Sequence, residues 1–240
     1  MGDVKLESTE PTSTCGPALS RVRGVKGDTA PVKPRLRGVS HEVSFYLSLI
    51  VGTAVAVSAP SAAYPELLIY LVCMAALFGV SALFHRRTWS PHGRRIMRRL
   101  DHSTIFLAIA GTYTAVAGLT LTNPLRFWVL FLVWTAAIIG IVVKVFWIDA
   151  PKWVSALSYV VVGWVALIAL PQLWDVLGPG GFFLLLMGGL LYSAGAAVYA
   201  LQRPNPWPAT FGYHEVFHLL VIAGGLSHLA CIQFYVLPSL

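Results

Sequence analysis

Two histidines near the C-terminus stand four residues apart, in the pattern HEVFH. They are His214 and His218, and on an α-helix this spacing puts both imidazoles on one face, about 6 Å apart along the axis. Two imidazoles so placed can bind one metal ion. The same letters match the HExxH motif of zinc peptidases, in which Glu215 is the general base. The pattern therefore predicts a metal site and leaves two chemistries open.

Three further polar residues lie at the ends of apolar segments. Ser81 and His85 are four residues apart at the end of one run, and Asp101 opens another. An ionisable residue in a membrane helix costs roughly 2.5–3.5 kcal/mol on insertion scales, so each one needs a reason. We expect His85 to join His214 and His218 as a third zinc ligand, which leaves a fourth tetrahedral position for water. Asp101 and Ser81 are then the catalytic candidates, orienting a ligand or carrying a proton.

The remaining histidines have simpler interpretations. A single histidine at a helix end is more often an interfacial polar residue than a ligand, and only the convergence of several favours a metal. His228 lies about 15 Å beyond His218 along a helix, too far to share the ion, and is expected to hydrogen-bond to a neighbouring helix. We interpret His41, His92 and His102 as loop, interface or headgroup-facing residues, although His41 could instead support the site.

The peptidase interpretation needs a third ligand that the downstream sequence does not offer. No Asp or Glu follows Glu215, and His228 is excluded by its distance. Glu215 also lies about 100° around the helix from His214, so it can face a neighbouring helix or the headgroups instead of the metal. We therefore expect the match to the peptidase motif to be a coincidence.

The elements that must position these residues are membrane helices. Of the 240 residues, 57% are hydrophobic and 11% are charged, which is far too apolar for a soluble domain. The predicted fold is an all-α bundle of seven transmembrane helices, since each apolar run approaches the length that crosses ~30 Å of hydrocarbon and most breaks carry a proline. The runs are 43–59, 67–84, 103–121, 127–148, 154–170, 181–201 and 214–238.

Charge indicates the orientation of these helices. Residues 1–40 are rich in Pro, Ser, Thr, Gly and basic residues and are predicted to be a disordered cytoplasmic tail ahead of a membrane domain, 41–240. Basic residues also fill the loop between the second and third helices, whereas the loop between the first and second has none. The positive-inside rule then places the N-terminus in the cytoplasm and, after seven crossings, the C-terminus outside. The net charge of +7 reflects this topology and an attraction to anionic headgroups, with no nucleic-acid partner indicated.

Four motifs together resemble the hemolysin III family of the progestin and adipoQ receptor superfamily. They are SALFH, RRLDHSTIFLAIAGTYT, GIVVKVFW with the following PKW, and GYHEVFHLLVIAGGLSH, and the resemblance covers residues 37–232. It implies a seven-helix bundle with zinc near the cytoplasmic face, held by His85, His214 and His218, and with Asp101 close to the water. One departure is Ala115, where family members often have proline, so the third helix is expected to be straighter.

The resemblance also implies a function. Receptors of this superfamily are linked to hydrolysis of ceramide-like amides, and a related group contains alkaline ceramidases. The implied protein is a multi-pass cell-membrane hydrolase whose substrate is a lipid amide or ester that enters from the bilayer. The alternative is a non-enzymatic protein with structural or sensory zinc, either receptor-like, a membrane-homeostasis factor or a cytolytic hemolysin. The two differ in whether the fourth zinc position is open to water and reachable from lipid.

Overall fold

A computed structural model describes residues 33–240 and Gly2, so most of the predicted tail lies outside the described residues. The described residues form seven α-helices and no β-strand: α1 Val39–Ser58, α2 Tyr64–Arg86, α3 Pro91–Thr120, α4 Leu125–Phe146, α5 Lys152–Gly163, α6 Leu170–Leu201 and α7 Tyr213–Cys231. A 3₁₀ helix, Trp164–Ala169, joins α5 to α6, and another, Ser61–Ala63, precedes α2. A π-helical turn, Ile232–Val236, and a 3₁₀ turn, Leu237–Ser239, follow α7.

Local signals set the helix boundaries. Ser90 caps α3, because its hydroxyl oxygen accepts a hydrogen bond from the Gly93 amide at 3.2 Å, and Pro91 takes the first helical position. The chain enters α1 through Gly38, whose φ of 82° lies in the left-handed region that glycine tolerates. Because of this turn α1 begins at Val39, four residues before the start that the sequence predicts.

Six stretches of the described chain are long and apolar enough to cross a membrane, which confirms a multi-pass helical membrane protein. Five of them contain one α-helix each. The sixth runs for 50 residues, from Lys152 to Leu201, and contains α5, the 3₁₀ helix and α6. Within α6 a kink lies at Gly178, with φ 62° and ψ −179°, directly ahead of Pro179. The α-helix predicted over 154–170 ends early, at Gly163, and the one predicted over 181–201 corresponds to the part of α6 that follows the kink.

Helix α3 is the central helix of the bundle. Of its most apolar window 72% is buried, against 17% for α1 and 22% for α4, so the outer helices present their apolar residues outward. Small residues allow the close packing: a Cβ added to Gly111 would lie 2.7 Å from the Cβ of Cys73 on α2. The helix is uninterrupted from Pro91 to Thr120, with Ala115 fully buried inside it.

One end of the bundle is tied together by ion pairs between helix termini. The pairs are Arg86–Glu42, at 2.7 Å, Arg98–Asp149, at 2.8 Å, and Arg37–Glu215. Lys33 lies near the same end, where partial burial and the positive charges of nearby arginines lower the pKa of its ammonium group. The first two pairs are exposed and contribute little stability, but the side chain of Glu215 is only 3% exposed. This end of the bundle carries the candidate site.

Candidate metal centre

Three histidines converge at the tied end of the bundle. His85 comes from the last turn of α2, and His214 and His218 come from successive turns of α7. One ring nitrogen from each lies within 4.8 Å of the other two, so the three side chains could hold a metal ion together. The Nε2 atoms of His85 and His214 are 3.1 Å apart. The structure therefore brings together the three residues that the sequence predicts as ligands.

The donor set fits a tetrahedral metal ion. With zinc–nitrogen distances of about 2.0–2.1 Å, neighbouring nitrogens of a tetrahedral site lie about 3.3–3.4 Å apart, close to the separation of His85 and His214. His218 is 2% exposed, and its Nδ1 atom is buried without a hydrogen-bond partner. A buried imidazole normally has both nitrogens satisfied, so an unpartnered ring nitrogen within a cluster of three imidazoles favours a bound ion.

Glycine at position 38 sets the position of His85. A Cβ added to Gly38 would lie 2.6 Å from the Cβ of His85, so the segment before α1 packs directly against the ligand's backbone. The left-handed φ and this close approach both require glycine at position 38. The N-terminal end of α1 is therefore part of the scaffold of the site, although it contributes no predicted ligand.

The two predicted catalytic residues lie in the same layer. Asp101 approaches His85, with 3.9 Å between Asp101 Oδ2 and His85 Nε2, and it is 9% exposed. Ser81 lies one turn before His85 on α2, is 1% exposed, and its hydroxyl oxygen is buried without a hydrogen-bond partner. Both residues line a cavity that His214 and His218 also line. A carboxylate and a hydroxyl are thus available beside the histidine cluster.

His41 packs against the histidine cluster, so of the two interpretations left open for it the favoured one, a residue facing the headgroups, is wrong and support of the site is correct. It is 2% exposed, and its ring stacks on that of His218 with 3.7 Å between centroids and 4° between planes. The edge of Phe78 packs on it with 5.3 Å between centroids, and neither of its ring nitrogens has a hydrogen-bond partner. The missed signal is the start of α1 at Val39, which puts His41 inside the helix instead of before it.

Glu215 does not face the histidine cluster. Its Oε2 atom accepts a hydrogen bond from the Gly212 amide at 2.8 Å and so caps α7, while Oε1 pairs with the guanidinium of Arg37. Both oxygens are thus engaged in structural contacts at 2% exposure. This geometry agrees with the expectation that Glu215 faces away from the metal. The glutamate has a structural role, because it caps α7 and pairs with Arg37.

The other histidines have separate roles. His228 Nε2 bonds to the carbonyl of Leu185 on α6 at 3.1 Å, as expected for a contact between helices. His92 is exposed in the first turn of α3. His102, expected at an interface or in a loop, lies inside α3 and lines the cavity, with its Nδ1 atom 3.5 Å from the hydroxyl of Tyr159.

The cavity beside the cluster has a volume of about 130 Å³ and a mainly apolar and aromatic lining from α3, α5, α6 and α7, to which α2 adds Leu77 and Ser81 and α1 adds His41. Its polar residues lie mostly at the tied end, where Ser81, Asp101, His214 and His218 contribute. A cavity with polar groups at one end and apolar walls beyond can take an amphipathic molecule.

Comparison with known proteins identifies the family. A sequence profile of the family described as Haemolysin-III related matches residues 29–229, which include all three histidines of the cluster. Hemolysin-3 of Bacillus cereus is 39% identical over 71% of this chain and 75% of the relative. The Hemolysin-3 homolog of Bacillus subtilis (strain 168) is 35% identical over 70% of this chain and 75% of the relative. The Monocyte to macrophage differentiation factor of Homo sapiens, 24% identical over 71% of this chain and 70% of the relative, supports the wider progestin and adipoQ receptor superfamily. This chain belongs to the haemolysin-III-related family.

Proposed function

We propose that the protein is a membrane-embedded zinc hydrolase that cleaves an amide or ester bond of a lipid. The observation that carries the proposal is the convergence of three histidines and Asp101 at the polar end of an apolar cavity. The apolar walls suit a hydrocarbon chain, and the polar end suits the carbonyl group that such a chain carries. Three imidazole nitrogens favour zinc over magnesium or calcium, which prefer oxygen ligands.

Each residue of the site has a role in this proposal. His85, His214 and His218 hold the ion, which when bound supplies a Lewis acid that polarises a carbonyl and makes water nucleophilic at neutral pH. Asp101, with Oδ2 at 3.9 Å from His85, takes or orients the proton of the attacking water. Ser81, whose buried hydroxyl lies beside Asp101, donates to the substrate oxygen or accepts a hydrogen bond from the ring N–H of His85.

The placement of the protein in the membrane is also a proposal. A continuous helix of 50 residues would be about 75 Å long, more than twice the thickness of the hydrocarbon, so Lys152–Leu201 crosses twice and the total is seven. The basic residues place the tied end, the tail 1–40 and the start of the membrane domain 41–240 at the cytoplasmic side of the plasma membrane, and the C-terminus outside. Anionic headgroups are the partners of the basic segments, and no nucleic acid is involved.

The second candidate function is non-enzymatic. The relatives named Hemolysin-3 favour a cytolytic role, and a receptor-like or membrane-homeostasis role is of the same kind. In each of these, zinc at the same histidines is structural or sensory, and the cavity holds a lipid without cleaving it.

The metal assignment is tested by the zinc content of purified protein. We expect about one zinc per chain, because three histidines form a single site. His214→Ala and His218→Ala each remove one of three ligands and are expected to lower the zinc content sharply, as measured by inductively coupled plasma mass spectrometry. His92→Ala, an exposed histidine outside the cluster, is the matched control. Full zinc content in both ligand variants would contradict the assignment.

The hydrolase assignment is tested by lipid analysis of cells that express the wild type or Asp101→Ala. Asp101 is not a proposed ligand, so the variant should keep its zinc but lose general acid–base catalysis, worth roughly 10²–10⁴ in rate. We expect the substrate amide or ester to accumulate in cells with the variant. Ceramide, amide and ester pools that are identical in the two cell types would favour the non-enzymatic function.

A further inference from the structure

A second apolar cavity lies beyond the one at the histidine cluster. It has a volume of about 80 Å³, against about 130 Å³ for the first. Along α3 the first cavity extends from Asp101 to Tyr113, and the second from Thr112 to Leu121. At 1.5 Å per residue these stretches cover about 18 Å and about 14 Å. Together they follow α3 from the candidate metal centre almost to the opposite end of the bundle.

Six residues line both cavities and form the partition between them: Thr112, Tyr113, Gly163, Trp164, Gly189 and His228. Two of these are fixed by hydrogen bonds to backbone. The hydroxyl of Tyr113 donates to the carbonyl of Gly163 at 2.8 Å, and His228 Nε2 bonds to the carbonyl of Leu185 at 3.1 Å. The partition is therefore built into the packing of α3, α6 and α7.

Trp164 and Gly189 face each other across the partition. A Cβ added to Gly189 would lie 3.8 Å and 3.9 Å from the ring atoms Cζ2 and Cη2 of Trp164, which is ordinary van der Waals contact. The indole is held in place because its N–H donates to the hydroxyl of Ser193 at 2.9 Å, and this hydroxyl donates to the carbonyl of Gly189 at 2.8 Å. The space between the indole and α6 thus accommodates one methyl group.

We propose that this partition, through Trp164 and Gly189, sets the length of the hydrocarbon chain that a ligand can place in the first cavity. The inference rests on the proposed function, in which the polar head of a lipid lies at the histidine cluster. An extended alkyl chain with bonds of ~1.5 Å and angles of ~111° advances roughly 1.25 Å per carbon, so a length of ~18 Å sets an upper limit of roughly 14 carbons. A longer chain meets the indole and continues only if the partition opens into the second cavity.

The test is ligand occupancy as a function of chain length. Full-length protein in phosphatidylcholine nanodiscs is equilibrated with an equimolar mixture of straight-chain N-acylethanolamines of graded length, and the bound species are quantified by mass spectrometry. Because lipid already solvates every chain, occupancy reports the fit in the cavity and not transfer from water. For the wild type we expect occupancy to fall roughly tenfold beyond a limiting chain length of at most about 14 carbons, since overpacking a filled cavity is costly.

Variants of the partition should move this limit. Trp164→Leu removes the indole, while Ser193 keeps its bond to Gly189, so the limit should move to chains up to roughly ten carbons longer as the second cavity joins the first. Adding Gly189→Ala to Trp164→Leu refills part of the space and should move the limit back. Gly189→Ala alone fills the space beside Trp164. It should therefore reduce further the low occupancy of chains longer than the wild-type limit and leave the occupancy of shorter chains unchanged.

Two matched controls lie on α6 outside both cavities. Trp174→Leu removes an indole that is 50% exposed, and Gly195→Ala adds a methyl group whose nearest neighbour would be 3.4 Å away. Both should keep the wild-type limit. If Trp164→Leu folds and keeps the wild-type chain-length limit, the inference is overturned. If Trp164→Leu does not fold, Gly189→Ala decides: an occupancy profile identical to that of the wild type would overturn the inference. Occupancy does not require cleavage, so a chain-length limit without any hydrolysis would refute the proposed function alone, and hydrolysis with no shift would refute the partition alone.

Discussion

At the scale of single residues, Glu215 and Arg37 link the candidate site to the start of α1. Glu215 caps α7 through the Gly212 amide and pairs with Arg37, 178 positions earlier in the chain. This contact holds the segment before α1 against α7, where His41 stacks on His218. The contacts of the glutamate in the HEVFH pattern therefore position the histidines. Both of its carboxylate oxygens are engaged, so neither is free to activate water.

We predict that Glu215→Ala destabilises the protein. Removing one partner of a fully buried ion pair costs about 3–5 kcal/mol, and roughly 2–3 kcal/mol is expected here because Arg37 keeps some contact with water. The measurement is unfolding in detergent of wild type, Glu215→Ala, Arg37→Ala and the double variant, whose two effects should not add. As control, Glu42→Ala breaks an exposed pair and should change stability little. Full stability of Glu215→Ala together with loss of hydrolysis would instead support a general base.

At the scale of elements, the transition from α5 to the 3₁₀ helix is stabilised by a side chain of α3. A break in a membrane helix frees backbone groups that lipid cannot satisfy. The hydroxyl of Tyr113 donates to the Gly163 carbonyl at 2.8 Å and accepts from the Ala166 amide at 2.6 Å, so it satisfies one group on each side of the start of the 3₁₀ helix. The central helix thus stabilises the start of the 3₁₀ helix, where Gly163 and Trp164 line both cavities.

We predict that Tyr113→Phe lowers the free energy of unfolding by about 1–3 kcal/mol, the cost of leaving a buried donor or acceptor unsatisfied. The ring remains, so packing is preserved and the loss reports the hydrogen bonds. Thermal unfolding in detergent measures it, and amide hydrogen exchange at Ala166 should become faster. Tyr46→Phe, at a position 61% exposed, should leave both quantities unchanged. Equal stability of Tyr113→Phe and wild type would argue against this role.

At the scale of the whole molecule, one end of the bundle differs from the other in charge and in contacts. The three ion pairs and the histidine cluster lie at the tied end. Gln172, near the start of α6, instead bonds to Thr122 beyond the C-terminal end of α3, with its Nε2 atom 2.6 Å from the threonine hydroxyl. The chain therefore runs from the tied end at Lys152, which bonds to Tyr213, to the opposite end at Gln172 and back to Leu201.

We predict that a membrane-impermeant maleimide labels Ser61→Cys in intact cells but labels Thr88→Cys only after lysis. Both positions are exposed in connections at opposite ends of α2, and the positive-inside rule assigns the second to the cytoplasm. Both variants are made in protein that also carries Cys15→Ser. The two remaining native cysteines, Cys73 and Cys231, are buried, so the reagent should not label them. Labelling of Thr88→Cys in intact cells would contradict the orientation.

The same reagent tests the number of crossings. Arg203→Cys lies in the exposed connection after α6, and with seven crossings it should behave like Thr88→Cys. Asp175 is exposed close to Gln172, at the end of the bundle opposite the tied end. Asp175→Cys should therefore label in intact cells like Ser61→Cys. Labelling of Arg203→Cys in intact cells would mean that Lys152–Leu201 crosses an odd number of times.

The sequence by itself determined the membrane class, the family and the three histidines of the cluster. These follow from local quantities: apolar runs set by the thickness of a bilayer, and rare polar residues that stand out because burying them in lipid is costly. The i, i+4 spacing of His214 and His218 survives in any α-helix, so no tertiary information was needed to pair them.

Tertiary structure decided what depends on contacts between residues far apart in the chain. The stacking of His41 on His218, the pairing of Arg37 with Glu215 and the partition between the two cavities involve different helices. The change from α-helix to 3₁₀ helix at Trp164 also depends on Tyr113, a residue of another helix, which is why a hydropathy run could not locate it. Hydropathy records only that a residue is buried in the membrane; packing selects its neighbour, because close contacts and hydrogen bonds depend on the approach of whole helices.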